Sequence, residues 1–261
     1  MRDIWEAMRA ATDYRVGIGR AGDSMTTDAL LDLREAQARA RDAVHLPLDV
    51  DALARQLAET GAAEPVVVHS RAASRAEFLR RPDRGRELAT GIPRHPRPDA
   101  DAQQMPRLGI VVADGLSTAA VSHHGAPMVR ALTEELAGDF RIDPVVIAVQ
   151  ARVAIGDEIG AAMGLDEVIV LIGERPGLSV SDSLGAYLTH HPKPGTRDSQ
   201  RNCVSNIRPG GLGYAPAAAT LGRLAGGALV LGHSGVDLKD TGPAVGAPDR
   251  PALSGSGDPE R

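Results

Sequence analysis

Three polar clusters hold most of the side chains able to do chemistry in this chain. Residues 198–209 read DSQRNCVSNIRP and contain the only cysteine, Cys203. Residues 173–179 read GERPGLS and lie at the end of the apolar run EVIVLI, while residues 151–160 read ARVAIGDEIG and follow PVVIAVQ. A carboxylate at the end of a strand, here Glu174, accepts hydrogen bonds from the amides or hydroxyls of a ligand. Pro176 then prevents the strand from continuing. The alternative for Glu174 is a local rim pair with Arg175, which would carry little energy. Cys203 also reads two ways. A lone cysteine is commonly a small buried hydrophobe, but Arg201, Asn202, Ser205, Asn206 and Arg208 surround this one with polarity that suits a ligand rich in amide and phosphate groups. A nucleophilic role would require a neighbouring base, for which His190 and His191 are the candidates.

Other motifs have plainer readings. Gly17-Ile18-Gly19-Arg20-Ala21-Gly22 satisfies GxGxxG, a dinucleotide fingerprint that needs a buried strand before it and a helix opening on its glycines. The preceding TDYRV is short and polar, so a tight loop using glycine conformations is the expectation. Asp114 and Ser117 in VVADGLS stand at a strand end, where an aspartate can bind a ribose or a metal; capping or loop structure is the favoured reading. His123 and His124 are adjacent and lack the spacing of a helical metal pair, so surface or capping roles are expected and no metal ligand is assigned.

The elements that must position these groups alternate in type. Residues 1–106 read as a helical region with one strand, PVVVHS at 65–70, and end in a loop with four prolines, TGIPRHPRPDADAQQMP. Beyond it come a strand (RLGIVVADG), a helix over 117–137 that Pro127 would interrupt, a strand (PVVIAVQ), a short helix over 157–163 and a strand (EVIVLIGE). LGAYLT adds a further strand, and an Ala/Leu-rich helix over 216–231 follows. Strands alternating with helices at this spacing predict an α/β fold, a mostly parallel sheet with helices on both faces. Ligands of such sheets sit outside the carboxyl ends of the strands, where the clusters at 151–160 and 173–179 fall. The expected partition is therefore 1–106, 107–240 as the binding domain, and a Gly/Pro/Ser-rich tail over 241–261 too poor in apolar side chains to fold.

Composition narrows the function classes. Of 261 residues 43% are hydrophobic but only 2% aromatic, so the core must be aliphatic, as a buried parallel sheet requires. A net charge of −5 with no basic stripe argues against nucleic acid as a main partner. One cysteine excludes an internal disulfide framework and a Cys-rich metal site. No apolar run is long enough to span a membrane, and the amino terminus lacks a secretory core, so a reduced, cytoplasmic protein is expected.

With these segments laid out, the chain resembles the small (light) chain of ethanolamine ammonia-lyase. The resemblance runs in order through RVGIGRAG, ARARDAVH, RRPDRGREL, VVADGLST, RVAIGDEIG, VLIGERPGLSVSDSLGAYLT and RNCVSNIRPGGLGY, covering residues 15–239. GERPGL together with RNCVSNIRP is the specific part. The resemblance implies a subunit of an adenosylcobalamin-dependent lyase that converts ethanolamine to acetaldehyde and ammonia by a radical route. A large barrel chain would hold the substrate, and a Rossmann-like domain of the small chain would hold the cobalamin against it. It further implies cofactor contacts at the backbone carbonyl of Val153, the carboxylate of Glu174 and Cys203, with Arg152 beside them, and no catalytic residue on this chain. The sequence has no Asp-x-His-x-x-Gly motif, so the cofactor is expected base-on. Enclosure in a bacterial microcompartment is left open. Two rival readings stand: a Rossmann-type nucleotide-binding oxidoreductase resting on the GxGxxG, and a non-catalytic scaffold protein.

Overall fold

The computed structural model describes residues 4–12, 14–61, 63–92 and 105–242. The expected tail over 243–261 and most of the proline-rich loop lie outside the described residues. The amino-terminal part carries α1 (Ile4–Ala10), the two-residue strands β1 (Arg20–Ala21) and β2 (Ser24–Met25), α2 (Thr27–His45) and α3 (Val50–Ala58). Caps set the helix starts: Thr26 accepts from the Ala29 N–H ahead of α2, and Asp49 from the Ala52 N–H ahead of α3. Next come β3 (Val66–His69), α4 (Arg75–Arg80) and a single 3-10 turn, Arg84–Arg86. The remainder is β4 (Arg107–Ala113), α5 (Thr118–Leu136), β5 (Arg141–Ile142), β6 (Val146–Val149), α6 (Ile155–Met163), β7 (Glu167–Gly173), β8 (Leu184–His190), β9 (Asn202–Ile207) and α7 (Tyr214–Leu231).

The strands from β3 onward form one seven-stranded sheet ordered β3-β6-β4-β7-β8-β9, with the short β5 also beside β4. β3, β6, β4 and β7 pair in parallel, and β8 and β9 are antiparallel additions at one edge. The fold is thus mixed α/β. Every residue of β4 and β7 is buried, as expected of central strands covered on both faces. Strand alternation divides their side chains between two cores. Leu108, Ile110 and Val112 pack with α3, α5 and α7 on one face; Val111, Ala113, Val168 and Val170 pack with α6 on the other. The sheet also draws its edge strand β3 from ahead of the proline-rich loop, and Leu53 and Leu57 of α3 share the α5 core.

Pro127 does not interrupt α5, which runs continuously through it. The larger difference is β9, because the segment RNCVSNI is a strand where the sequence showed only a polar cluster. Val204 and Ile207 are its buried residues, three apart, because the pairing with β8 shifts register between Leu184 and Ala186 and Asn206 takes a left-handed φ of 57°. That irregularity erases the two-residue alternation by which strands are read.

Candidate functional site

The chain leaves β4 for α5 on one face and leaves β6 for α6 on the other, which opens a crevice at the carboxyl ends of these neighbouring strands. A cleft of about 610 Å³ lies there. Its wall includes all four residues singled out from sequence, Arg152, Val153, Glu174 and Cys203. Arg152 and Val153 come from the turn before α6, Glu174 from the end of β7 and Cys203 from β9. The sheet order brings these sequence-distant residues together.

Close backbone packing shapes the floor. Gly115 has φ +55°, and the Leu116 N–H donates to the Gly173 carbonyl at 2.9 Å. A Cβ on Gly173 would overlap the Ser117 carbonyl, so the loops after β4 and β7 meet only because both residues are glycine. Asp114 is 2% exposed and accepts from the Ala151 N–H at 2.9 Å, tying the end of β4 to the end of β6. Burial pushes its carboxyl up, and Arg75, 3.4 Å away, pulls it back. Ser117 caps α5 by accepting from the Ala120 N–H. Both are therefore framework, in line with the plainer reading of VVADGLS.

Glu174 is not paired with Arg175 among the described contacts. Its Oε2 accepts the Ser183 hydroxyl at 2.5 Å, and both oxygens lie 3.3 Å from the Asn206 N–H. A carboxylate has about four lone-pair directions, so acceptor capacity remains toward the cleft. The Val153 carbonyl accepts the Gly156 N–H at 3.0 Å and likewise keeps a second lone pair.

Beyond β7 no described helix covers the α6 side of the sheet. Leu184, Ala186 and Leu188 point into the opposite core, which turns Tyr187 toward this open side, and Val204 does the same for Cys203. Tyr187 is directly opposite Cys203 in the β8–β9 register. The two form a flat shelf beside Glu174. Burial pushes the Tyr187 hydroxyl up, reinforced by Cys203. Cys203 is an exposed free thiol whose near neighbour is Ser205 Oγ, 3.3 Å away. His190 and His191 lie at the far end of β8, and the His190 ring is engaged by Glu167 at 2.9 Å. Neither of these two histidines, the candidate bases, therefore stands beside the thiol.

Arg86, Arg152 and Arg175 line the cleft together. The Arg152 guanidinium stacks 4.3 Å from the Phe78 ring centroid, with Arg75 4.8 Å from it. Burial lowers Arg152, and the neighbouring Arg75, Arg86 and Arg175 lower it further. Its Nε is buried without a hydrogen-bond partner. Arg86, Arg152 and Arg175 thus give the cleft, whose lining also holds Glu174 and Asp198, a cationic side suited to an anionic group. Sequence reading missed Arg86 and Tyr187. Arg86 sits in a charge-rich stretch, but Tyr187 had a signal, being on the side of LGAYLT opposite its apolar residues.

Arg201, which was read as part of a ligand cluster, is mainly structural. It is buried and forks onto Asp157 of α6 at 2.6 and 2.7 Å, and also donates to Thr189 Oγ1 and the Thr196 carbonyl. The GxGxxG also proves to be a loop. Gly17 and Gly22 have φ of +57° and +64°, the strand inside the motif is two exposed residues long, and a Cβ on Gly17 would strike the Trp5 ring. Among the described residues no buried strand leads into it, which removes the ground for a dinucleotide site.

Fold and cleft together describe a mixed α/β protein with an open cleft at the carboxyl ends of its parallel strands. The family model for the ethanolamine ammonia-lyase light chain (EutC) matches residues 2–239, and the chain belongs to that family. It is 50% identical over 240 residues to an ethanolamine ammonia-lyase small subunit from Rhodococcus erythropolis, covering 92% of this chain and 91% of that protein. It is 45% identical to proteins of the same description from Pseudomonas fluorescens, with 90% and 86% covered, and from Ralstonia nicotianae, with 90% and 88% covered.

Proposed function

We propose that this chain is the small subunit of a two-chain, adenosylcobalamin-dependent ethanolamine ammonia-lyase, and that the cleft holds one side of the cofactor against the large chain. The observation that carries the reading is the convergence of Arg152, Val153, Glu174 and Cys203 on one cleft at the strand ends. The residues fit the group chemically. A corrin bears many side-chain amides, for which the Val153 carbonyl and the Glu174 carboxylate are acceptors. Its nucleotide arm carries a phosphate, for which Arg86, Arg152 and Arg175 supply compensating charge. The Tyr187–Cys203 shelf offers a flat surface to a flat macrocycle. No histidine lines the cleft among the described residues, which supports a base-on cofactor that keeps its own dimethylbenzimidazole.

Size supports a second chain. Clefts of this volume enclose drug-sized ligands, and a cobalamin is several times larger. The cleft can therefore cover only one side of it. When bound, the cofactor supplies a cobalt–carbon bond that breaks homolytically to start the radical reaction. This chain binds and orients it: Glu174 and Val153 fix amide arms, the arginines fix the anionic arm, and the apolar floor at Leu116 and Ile172 excludes water from that side. Residues 107–240 are assigned as a Rossmann-like cobalamin-binding unit that takes β3 from the preceding region. Among the described residues no helix is long and apolar enough to cross a membrane. A cytoplasmic location completes the proposal, in keeping with the exposed thiol of Cys203.

Reconstitution tests the reading. Acetaldehyde release from ethanolamine should require this chain, the large chain and adenosylcobalamin together. Full turnover by the large chain and cofactor alone would contradict the proposal.

A further inference from the structure

We propose that His123, His124 and Asp182 form a binding site for a divalent transition-metal ion of the zinc class, joining the first turns of α5 to the loop between β7 and β8. One ring nitrogen from each histidine and an Asp182 carboxylate oxygen all lie within 4.8 Å of one another. Asp182 Oδ2 is 3.1 Å from His123 Nδ1 and 3.5 Å from His124 Nε2. Tetrahedral zinc bound by imidazole and carboxylate sets its ligand atoms about 3.3 Å apart, between these two distances.

The orientation of His124 is the second, independent observation. The residue is 7% exposed, and its Nδ1 is 2.8 Å from the Tyr214 hydroxyl at the start of α7. That bond fixes the ring and leaves Nε2 directed at the cluster, the arrangement by which an outer partner positions a ligating histidine. Nε2 itself is buried, and its contact with Asp182, at 3.5 Å, is longer than a normal hydrogen bond. A metal ion between the two would give that buried nitrogen a short bond.

Adjacent histidines on a helix normally diverge, which is why their spacing argued against a site. Here the rings stand edge to face with centroids 5.8 Å apart, and the third ligand arrives from another segment. That segment is anchored, because the Ser117 hydroxyl donates to the Ser181 carbonyl at 2.8 Å. Two imidazoles and one carboxylate favour zinc or a neighbouring transition ion over magnesium or calcium, which prefer all-oxygen shells. His123 is well exposed, so the fourth position opens to water. The cavity beside the cluster shares no lining residue with the cofactor cleft.

The test uses the full untagged chain, stripped with a chelator and dialysed against Zn²⁺, with bound metal measured by plasma mass spectrometry. The expected result is one ion per chain, with affinity reduced about tenfold or more in His123→Ala and in Asp182→Asn. Both residues are at least partly exposed, so folding should survive, and circular dichroism checks it. Cys203→Ser should keep the ion. Zinc bound equally by the parent and both ligand variants, zinc lost in Cys203→Ser instead, or no stoichiometric zinc in the parent would each overturn the proposal.

Discussion

Glu174 does two jobs at once. It braces Ser183 and the irregular turn at Asn206, and it keeps acceptor capacity toward the cleft. Glutamine retains one acceptor oxygen for the brace but loses the charge that raises a bond to a ligand amide from about 0.5–1.5 to about 1.5–3 kcal/mol. Glu174→Gln in the assembled enzyme should therefore weaken cofactor retention roughly tenfold or more, while the unfolding midpoint of the chain moves little. Spectrophotometric titration beside a denaturation curve reads both, and unchanged affinity would remove Glu174 from the site. A different carboxyl, Glu167, is fully buried, and burial pushes it from 4.5 up to about 9, with Asp166 adding to the shift. It therefore faces His190 as a neutral acid. A folded pKa above the unfolded one gives stability that is complete below pH 4.5 and lost as pH rises through about 9. His190 is lowered from 6.5 by burial, so its opposing contribution is complete above that pH. From pH 6.5 to about 9 stability should fall by up to about 1.4 kcal/mol per pH unit on account of Glu167. Glu167→Gln should flatten that slope in urea unfolding, and an identical slope in the variant would refute the assignment.

At the scale of elements, α6 and the β8–β9 edge are clamped by the Asp157–Arg201 fork. Burial pushes Asp157 up, and the bidentate guanidinium opposes it. Removing the carboxylate strands a buried cation, which typically costs about 3–5 kcal/mol. Asp157→Ala should lower unfolding stability by that order, and a loss under about 1 kcal/mol would show that water relieves Arg201. The long, uniformly apolar elements were legible in the sequence: β4, β6 and β7 as aliphatic runs. β9 was not, because its bulge breaks alternation and its outer face is polar. Arg201 was misassigned for a related reason, since a buried arginine looks like a ligand arginine until its partner on α6 is in view.

Across the whole molecule, the sheet order accounts for the site. Putting β4 between β6 and β7 brings residues 152–153 and 174 to one crevice, and the antiparallel return through β8 adds Cys203 to its rim. Strand-end chemistry and family resemblance pointed to Val153, Glu174 and Cys203 as candidates, and they share one cleft. Arg86 and Tyr187 came from packing, and the His123–His124–Asp182 cluster needed a loop 59 residues away in sequence from His123. The cleft is open and too small to enclose a cobalamin, so the proposed function requires the large chain to complete the site. The most direct test is a spectral titration with adenosylcobalamin of the large chain alone, this chain alone and the assembled pair. Tight, saturable binding is expected only in the pair, with one cofactor for each copy of this chain. Equal affinity in the large chain alone would contradict it.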